Sequence, residues 1–469
     1  MAEAQFHDSH GLEFSLVLSS DNAVADIDLQ LVAAEINMYE DMFGSFMRIE
    51  VLINDALGIL DKFPVIGEET LTFTYNIQEK KIYTETFKIY RVSNRSISRA
   101  RVHTAVLYGI SIPGHQNSLQ SIYKPYINQR CDDIVFDIYY EYLDPSFGAS
   151  GKPLQIPVVS ENNYTRVSTG QNPLQLINMI SNESKSSKSK DYKNPSNYVF
   201  YEDNQNFNFV PINFLIEKNQ APELKKFFLS VPQNKDQFEK GENPYPSQSI
   251  LSFKFIDQTD QIDSIHRGTY LNEVNIIDPI LKRFKMHPIT EKTKFQFKYN
   301  RDFDDLKHLP NSNKKYITAD GDVGKGTKPY AAHRRMMITQ YEDEGEKYPT
   351  IGYLNGKVSA GDQLLNPRQR HKTLPESIHE MGNLFEHVVE ITVPGDPDIT
   401  VGHQVQILVP QPTQFDSETN RFLEMYGQEA RFLITALRHV YQADKDAYYM
   451  VLSCSAESFG KDVEGMRVI

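Results

Sequence analysis

The stretch "GDVGKGTK", Gly321 to Lys328, holds the glycines and lysines from which phosphate cradles are built. A P-loop places its lysine directly before a Ser or Thr that holds magnesium, with a first glycine five positions upstream of the Gly-Lys pair. Here Gly326 follows Lys325, Ala319 stands where the first glycine belongs, and no strand-to-helix pattern frames the run. It reads as a flexible glycine loop. "HEMGN", His379 to Asn383, begins like the zinc-protease helix that sets two histidines one turn apart on a metal. Asn383 occupies the second ligand position, and His387 is too far along a helix to share the ion. His7 and His10 lie in a terminal segment expected to fray. Cys131 and Cys454 sit in unrelated contexts and read as buried thiols, neither a disulfide framework nor a nucleophile. The sequence thus assigns no catalytic, cofactor-binding or metal-binding residue.

The elements that would have to position such groups are mostly strands. A chain of 469 residues and 53.9 kDa exceeds one ordinary core and predicts about three domains. Tyr (26) and Phe (27) are abundant and Trp is absent. With β-branched residues, these aromatics gather in short alternating runs, so the chain is expected to be mainly β. No apolar run approaches the roughly 20 residues that span a bilayer. The start "MAEAQFHDSHGLEF" has neither a basic nor an apolar leader region, which predicts a chain made and kept in the cytosol. A net charge of -13 argues against a surface that gathers phosphates.

Residues 1–112 read as a small antiparallel barrel or sandwich, clearest where Thr70, Thr72 and Thr74 alternate with Leu71, Phe73 and Tyr75. Helical spacing begins at Pro113, in "SLQSIYKPYINQRCDDIVFDIYYEYL" with Val135, Ile138, Tyr139 and Tyr142 on one face, and again in "NPLQLINMISNES". That predicts a mixed α/β domain over 113–247, with a mobile Ser/Lys-rich loop at 181–197 and a hairpin turning at "EDNQN". Residues 248–280 and 386–460 are expected to form a second, discontinuous barrel around an insertion at 281–385. The second barrel is expected to copy the first. Phe87, Ile89 and Val92 recur as Phe432, Ile434 and Leu437, and Leu107 and Leu452 follow at the same distance. An apolar-Gly turn opens each copy, Ile66-Gly67 before "TLTF" and Val401-Gly402 before "QVQI".

"LQLVAAEINMYEDMFGSFMRIEV" through "FKIYRV", and "GDPDITVGHQVQILVP" followed by "ARFLITALRHVYQADKDAYYMVLSCSAES", resemble the trimeric baseplate hub proteins of contractile-tailed phages, with type VI secretion spike proteins as relatives. The resemblance is carried by order and spacing at the two ends of the chain and is thin over 281–385. It implies two tail-tube-like antiparallel β-barrels plus a mixed α/β domain, and a homotrimer forming a pseudo-sixfold ring. That ring would join a hexameric tail tube to a trimeric spike around a channel for DNA, in a virion baseplate assembled in the host cytoplasm. Thr70, Thr72, Thr74, Gln404 and Gln406 are the expected channel or ring-contact positions, with ordinary solvent exposure as the alternative. Lys314, Lys315, Lys325, Lys328, Arg334 and Arg335 form a basic cluster that either docks a spike, wedge, tube or tube-initiator protein or lies free in solvent. A net-acidic channel would pass DNA without specific binding. Two other functions fit a β-rich chain: a carbohydrate-binding tail adhesin, which needs exposed aromatic platforms, and a baseplate cell-wall hydrolase, which needs a convergent acid and base.

Overall fold

The computed structural model describes residues 12–20, 25–56, 58, 65–77, 82–97, 103–144, 151–160, 163–186, 197–218, 224–229, 248–257, 261–267, 271–278, 283–290, 333–338, 377–378, 380–416, 421–424, 431–443 and 447–457. The chain opens with seven strands: β1 (Leu12–Ser19), β2 (Ile27–Asp28), β3 (Ala33–Asp41), β4 (Arg48–Asp55), β5 (Thr70–Ile77), β6 (Ile82–Ile97) and β7 (His103–Ser111). Their alternation is the cause of their form. Leu71, Phe73 and Tyr75 are fully buried while Thr70, Thr72 and Thr74 stay half-exposed on the other face.

A mixed segment follows: α1 (Ile112–Leu119), β8 (Pro125–Arg130), α2 (Cys131–Ile138) continuing as a π-turn over Tyr139–Leu143, β9 (Leu154–Gln155), β10 (Asn163–Val167), α3 (Pro173–Ser181), β11 (Tyr198–Glu202), β12 (Phe207–Pro211) and α4 (Ile212–Lys218). The continuous helix expected across 118–143 is broken, because "PYINQR" forms β8 and pairs with β10. Pro125 disfavours helical geometry at Lys124 and has no N–H to continue a ladder, so the helix restarts only at Cys131. Asn172 caps α3 through Gln175 N at 2.8 Å, with Gln175 Oε1 accepting in return from Asn172 N. The β11–β12 hairpin turns at the expected place, five residue pairs in register. Part of the loop expected to be mobile is packed: Ser184 and Ser186 are buried and Ser186 bridges Ser160, while 187–196 lie outside the described residues.

The remaining elements are β13 (Lys225–Leu229), β14 (Ser249–Ile250), β15 (Ser252–Asp257), α5 (Gln261–Arg267), β16 (Leu271–Asp278), β17 (Arg283–Thr290), β18 (His333–Ile338), β19 (His387–Pro394), β20 (Gln404–Leu408), β21 (Pro410–Asp416), β22 (Arg421–Glu424), β23 (Phe432–Gln442) and β24 (Ala447–Ala456). Two assignments from sequence change here. β13 pairs with β20, outside the mixed segment, and β16 forms a separate sheet with β17 and β18.

Strands β3-β4-β7-β6-β5-β1 follow one another across the main sheet, and β15-β19-β24-β23-β20-β13 repeat that order. The registers match residue by residue from Lys88 to Ser93 and from Leu433 to Arg438, beyond which β6 carries a second bulge, between Ser93 and Ser96, that β23 lacks. Val92 sits opposite Leu107 and Leu437 opposite Leu452; Ile89 opposite Gly109 and Ile434 opposite Cys454. Both long strands carry a bulge at the next residue, Tyr90 in one and Thr435 in the other. A bulge is specified locally, so its recurrence at one position is not a by-product of hairpin geometry. The two units differ at the outer strand: β1 runs antiparallel to β5, whereas β13 runs parallel to β20. They meet edge to edge through β3 and β23, making one fourteen-stranded sheet among the described residues.

Candidate assembly surfaces

The joint between the units aligns Asp41 to Glu35 antiparallel with Ala436 to Gln442. On its outer face Arg438 donates from Nε and Nη2 to Asn37 Oδ1 at 2.9 and 2.7 Å, reaches Glu35 at 3.3 Å, and lies over the Tyr39 ring. On its inner face His439 is wholly buried between Glu40 (3.2 Å) and the Tyr448 hydroxyl (2.8 Å). Glu40 also accepts from Val401 N at 3.1 Å, fixing the turn that opens β20. Tyr441 stacks on Tyr448 at 4.4 Å and meets Phe73 edge-to-face and Tyr75 at a tilt, so one aromatic cluster spans both units. Burial pushes the phenols of Tyr75, Tyr441 and Tyr448 far up, leaving them neutral.

A second buried cluster pins the mixed segment to the first unit. Lys152 Nζ lies 2.7 Å from Glu85 and 3.1 Å from Glu202, all three side chains being buried. Glu202 also accepts from Met47 N (3.0 Å) and Ser111 Oγ (2.5 Å). Burial opposes the charge on Lys152, but the two carboxylates outweigh it and hold the ammonium well above its usual range. Burial raises Glu85 to about 7 against the pull of Lys152, since one cation cannot neutralise two buried carboxylates. No sequence signal marks this trio. "SGKPLQIP" offers Lys152 no apolar periodicity, and its partners are distant in the chain.

The zinc-like run has a structural use. Burial pushes Glu380 up to about 7, partly offset by hydrogen bonds from Asn213 (3.1 Å) and Asn197 (2.8 Å), and these bonds clip the helical turn at 380–384 to the mixed segment. His387 then starts β19 instead of extending that turn. A cleft of about 350 Å³ lies between the β11–β12 hairpin, α4 and the turn before β20, lined by Tyr201, Asp203, Asn208 and His403 among others. Its carboxylate is committed to the hairpin: Asp203 accepts from Gln205 N and Asn206 N at 2.7 Å and from Asn208 at 2.6 Å.

Thr70, Thr72 and Thr74 lie on the half-exposed face of β5, where Thr74 meets the hydroxyl of Thr84 at 3.3 Å and Thr72 pairs with Thr86. Gln404 and Gln406 occupy the corresponding positions of β20, because Leu71 pairs with Phe87 as Val405 pairs with Phe432. Their surroundings differ. In the second unit α4 covers this face, so Gln404 and Gln406 are only 4% and 7% exposed, and Gln404 Nε2 donates to the carbonyls of Leu215 (3.0 Å) and Ile216. The glutamines expected at a lumen are therefore interior, because a helix from elsewhere in the chain caps the strand. Of the basic cluster, Lys314, Lys315, Lys325 and Lys328 lie outside the described residues. Arg334 and Arg335 fall on β18, in register with Glu273 and Val274.

Among the edges with no strand partner among the described residues are the side of β15 away from β19 and that of residues 91–97 of β6 away from β7. Leu251 and Ile256, beside the first edge, are exposed.

No protein-family model matches the chain, and no curated protein matches it in sequence. Its fold is similar to that of a tail protein from Neisseria meningitidis, at 10% identity over 95% of this chain and 97% of that one, with a TM-score of 0.52. Other similar solved structures are a 43 kDa prophage tail protein from Shewanella oneidensis (TM-score 0.49, 10% identity, 96% and 99% of the two chains) and an Escherichia coli type VI secretion component (0.41, 10%, 97% and 78%).

Proposed function

We propose that the chain is a structural hub subunit of a contractile phage tail baseplate. In this reading the two units are barrels, three chains close a pseudo-sixfold ring, and the ring joins a hexameric tail tube to a trimeric spike around a channel for DNA. The observation that carries it is the repeated unit: one strand order, one register and one bulge position occur twice in one chain, already joined edge to edge. A repeated unit lets a threefold assembly present six similar faces on one side while its other side follows threefold symmetry. Charge supports the rest. A net charge of -13 offers DNA few cationic anchors, so passage would be unspecific. Thr70, Thr72 and Thr74 are the candidate lumen or ring-contact positions. The basic cluster, with Arg334 and Arg335 at its end, is the candidate docking surface for spike, tube or wedge proteins.

Electron microscopy of the purified chain, alone and with the spike protein of its own particle, tests this. Threefold rings of six similar lobes around an opening are expected. Fibres, or a chain that stays monomeric with the spike present, would overturn it.

A further inference from the structure

The two units share one strand order and one hairpin register as far as Ser93 and Arg438, beyond which β6 carries a bulge between Ser93 and Ser96 that β23 lacks, and each unit contributes only one of its two joining edges to β3·β23. The first unit offers the edge of β3 and leaves the C-terminal half of β6 without a strand partner on its side away from β7; the second offers the edge of β23 and leaves β15 without a strand partner on its side away from β19, among the described residues. β6 corresponds to β23 and β15 to β3. We infer that β15 of one copy pairs antiparallel with β6 of a second copy, in the register that β3 adopts on β23.

That register can be read off. Val440 lies opposite Tyr449, and Ser96 opposite Thr104, at the same place in the two hairpins. Asn37 lies opposite Glu50, and Lys254 opposite Glu390, again at one place, because Val51 faces Leu107 as Ile391 faces Leu452. Within the chain Val440 faces Asn37. Between chains, Ser96 therefore faces Lys254, and the Asp257 end of β15 approaches Ser93. Ser96 and Lys254 are both exposed. The contact is heterologous, second unit of one copy to first unit of the next, so it generates a ring when the rotation closes. It rests on the proposed hub reading only for the number of copies in that ring.

Cysteine pairing tests it. Directly opposed residues in an antiparallel pair bring Cβ atoms within reach of a disulfide, whereas residues two further along the same face do not. Cys131 and Cys454 are buried and do not compete. On oxidation of assembled protein, the Ser96→Cys/Lys254→Cys double variant is expected to form covalent oligomers that close as circles. Mixing the Ser96→Cys and Lys254→Cys single variants is expected to stop at dimers. The double variant Ser96→Cys/Ser252→Cys should cross-link at least tenfold less. Rings that assemble without the Ser96–Lys254 bond, or with equal cross-linking at Ser252, would overturn this joint and leave the hub reading standing. A chain that never assembles, even with its spike, would overturn both.

Discussion

Glu85 shares Lys152 with Glu202 in the buried interface between the first unit and the mixed segment, and its carboxyl titrates at about 7. The folded state thus favours the protonated form relative to the unfolded chain, where the ordinary value is 4.5. The stability this group contributes is complete below pH 4.5 and is lost as pH rises through about 7. At ~1.4 kcal/mol per pH unit, that interval is about 3 kcal/mol. Glutamine has the shape of the protonated acid and cannot ionise. Glu85→Gln is therefore expected to match the parent within ~0.5 kcal/mol at about pH 4.5 and to exceed it by about 3 kcal/mol at about pH 8.5. Urea unfolding followed by far-ultraviolet circular dichroism at the two pH values measures the difference; the chain has no Trp to serve as a fluorescent reporter. Equal or lower stability of the variant at the upper pH would refute the reasoning, because it would mean that the Glu85–Lys152 contact outweighs the burial of the charge.

Gly402 and Gly67 separate crowding from backbone strain. Both have positive φ, +86° and +104°, but a Cβ on Gly402 would stand 2.4 Å from the Tyr201 hydroxyl, whereas one on Gly67 meets nothing nearer than 4.0 Å. Gly402→Ala is expected to cost about 3 kcal/mol or more and Gly67→Ala about 1–2, by urea unfolding. Arg438→Lys loses the paired bonds to Asn37 and should cost about 1–2 kcal/mol, with amide exchange accelerating in 436–442 more than in β24. Glu380→Ala should cost about 1–3 kcal/mol near pH 5 by removing the buried acceptor of two half-buried asparagine amides. Its deficit should shrink as pH rises through about 7, where the parent must ionise Glu380, and a deficit that grows with pH would refute this.

Local pattern made much of this fold legible. Alternation at Thr70 to Tyr75 named the buried face of β5, and the spacing of Phe87, Val92 and Leu107 against Phe432, Leu437 and Leu452 gave the hairpin register of both units. Alternation does not name a partner, however. β16 reads like any strand of the main sheet yet pairs with β17 and β18, and Gln404 reads as half-exposed until α4 covers it. The Lys152–Glu85–Glu202 cluster was invisible for the same reason. A buried lysine is recognised by the carboxylates around it, and here the lysine and its two carboxylates come from three separate stretches of chain. The hairpin turn at Asp203, by contrast, was readable from side chains that bond their own backbone.

The β3·β23 joint has a kinetic consequence. It closes when the chain folds, at an effective concentration set by the intervening polypeptide and not by how many copies the cell holds. Dilution can therefore part copies from one another but cannot split the paired units. If three copies close the proposed ring, nucleation is a three-body event with three junctions to find, where separate single units would need six. The bulge between Ser93 and Ser96 and the positive φ of Asn94 twist the waiting edge of β6. That edge is shaped against casual pairing with flat strands, so a chain awaiting its neighbours is guarded against the aggregation that open edges invite.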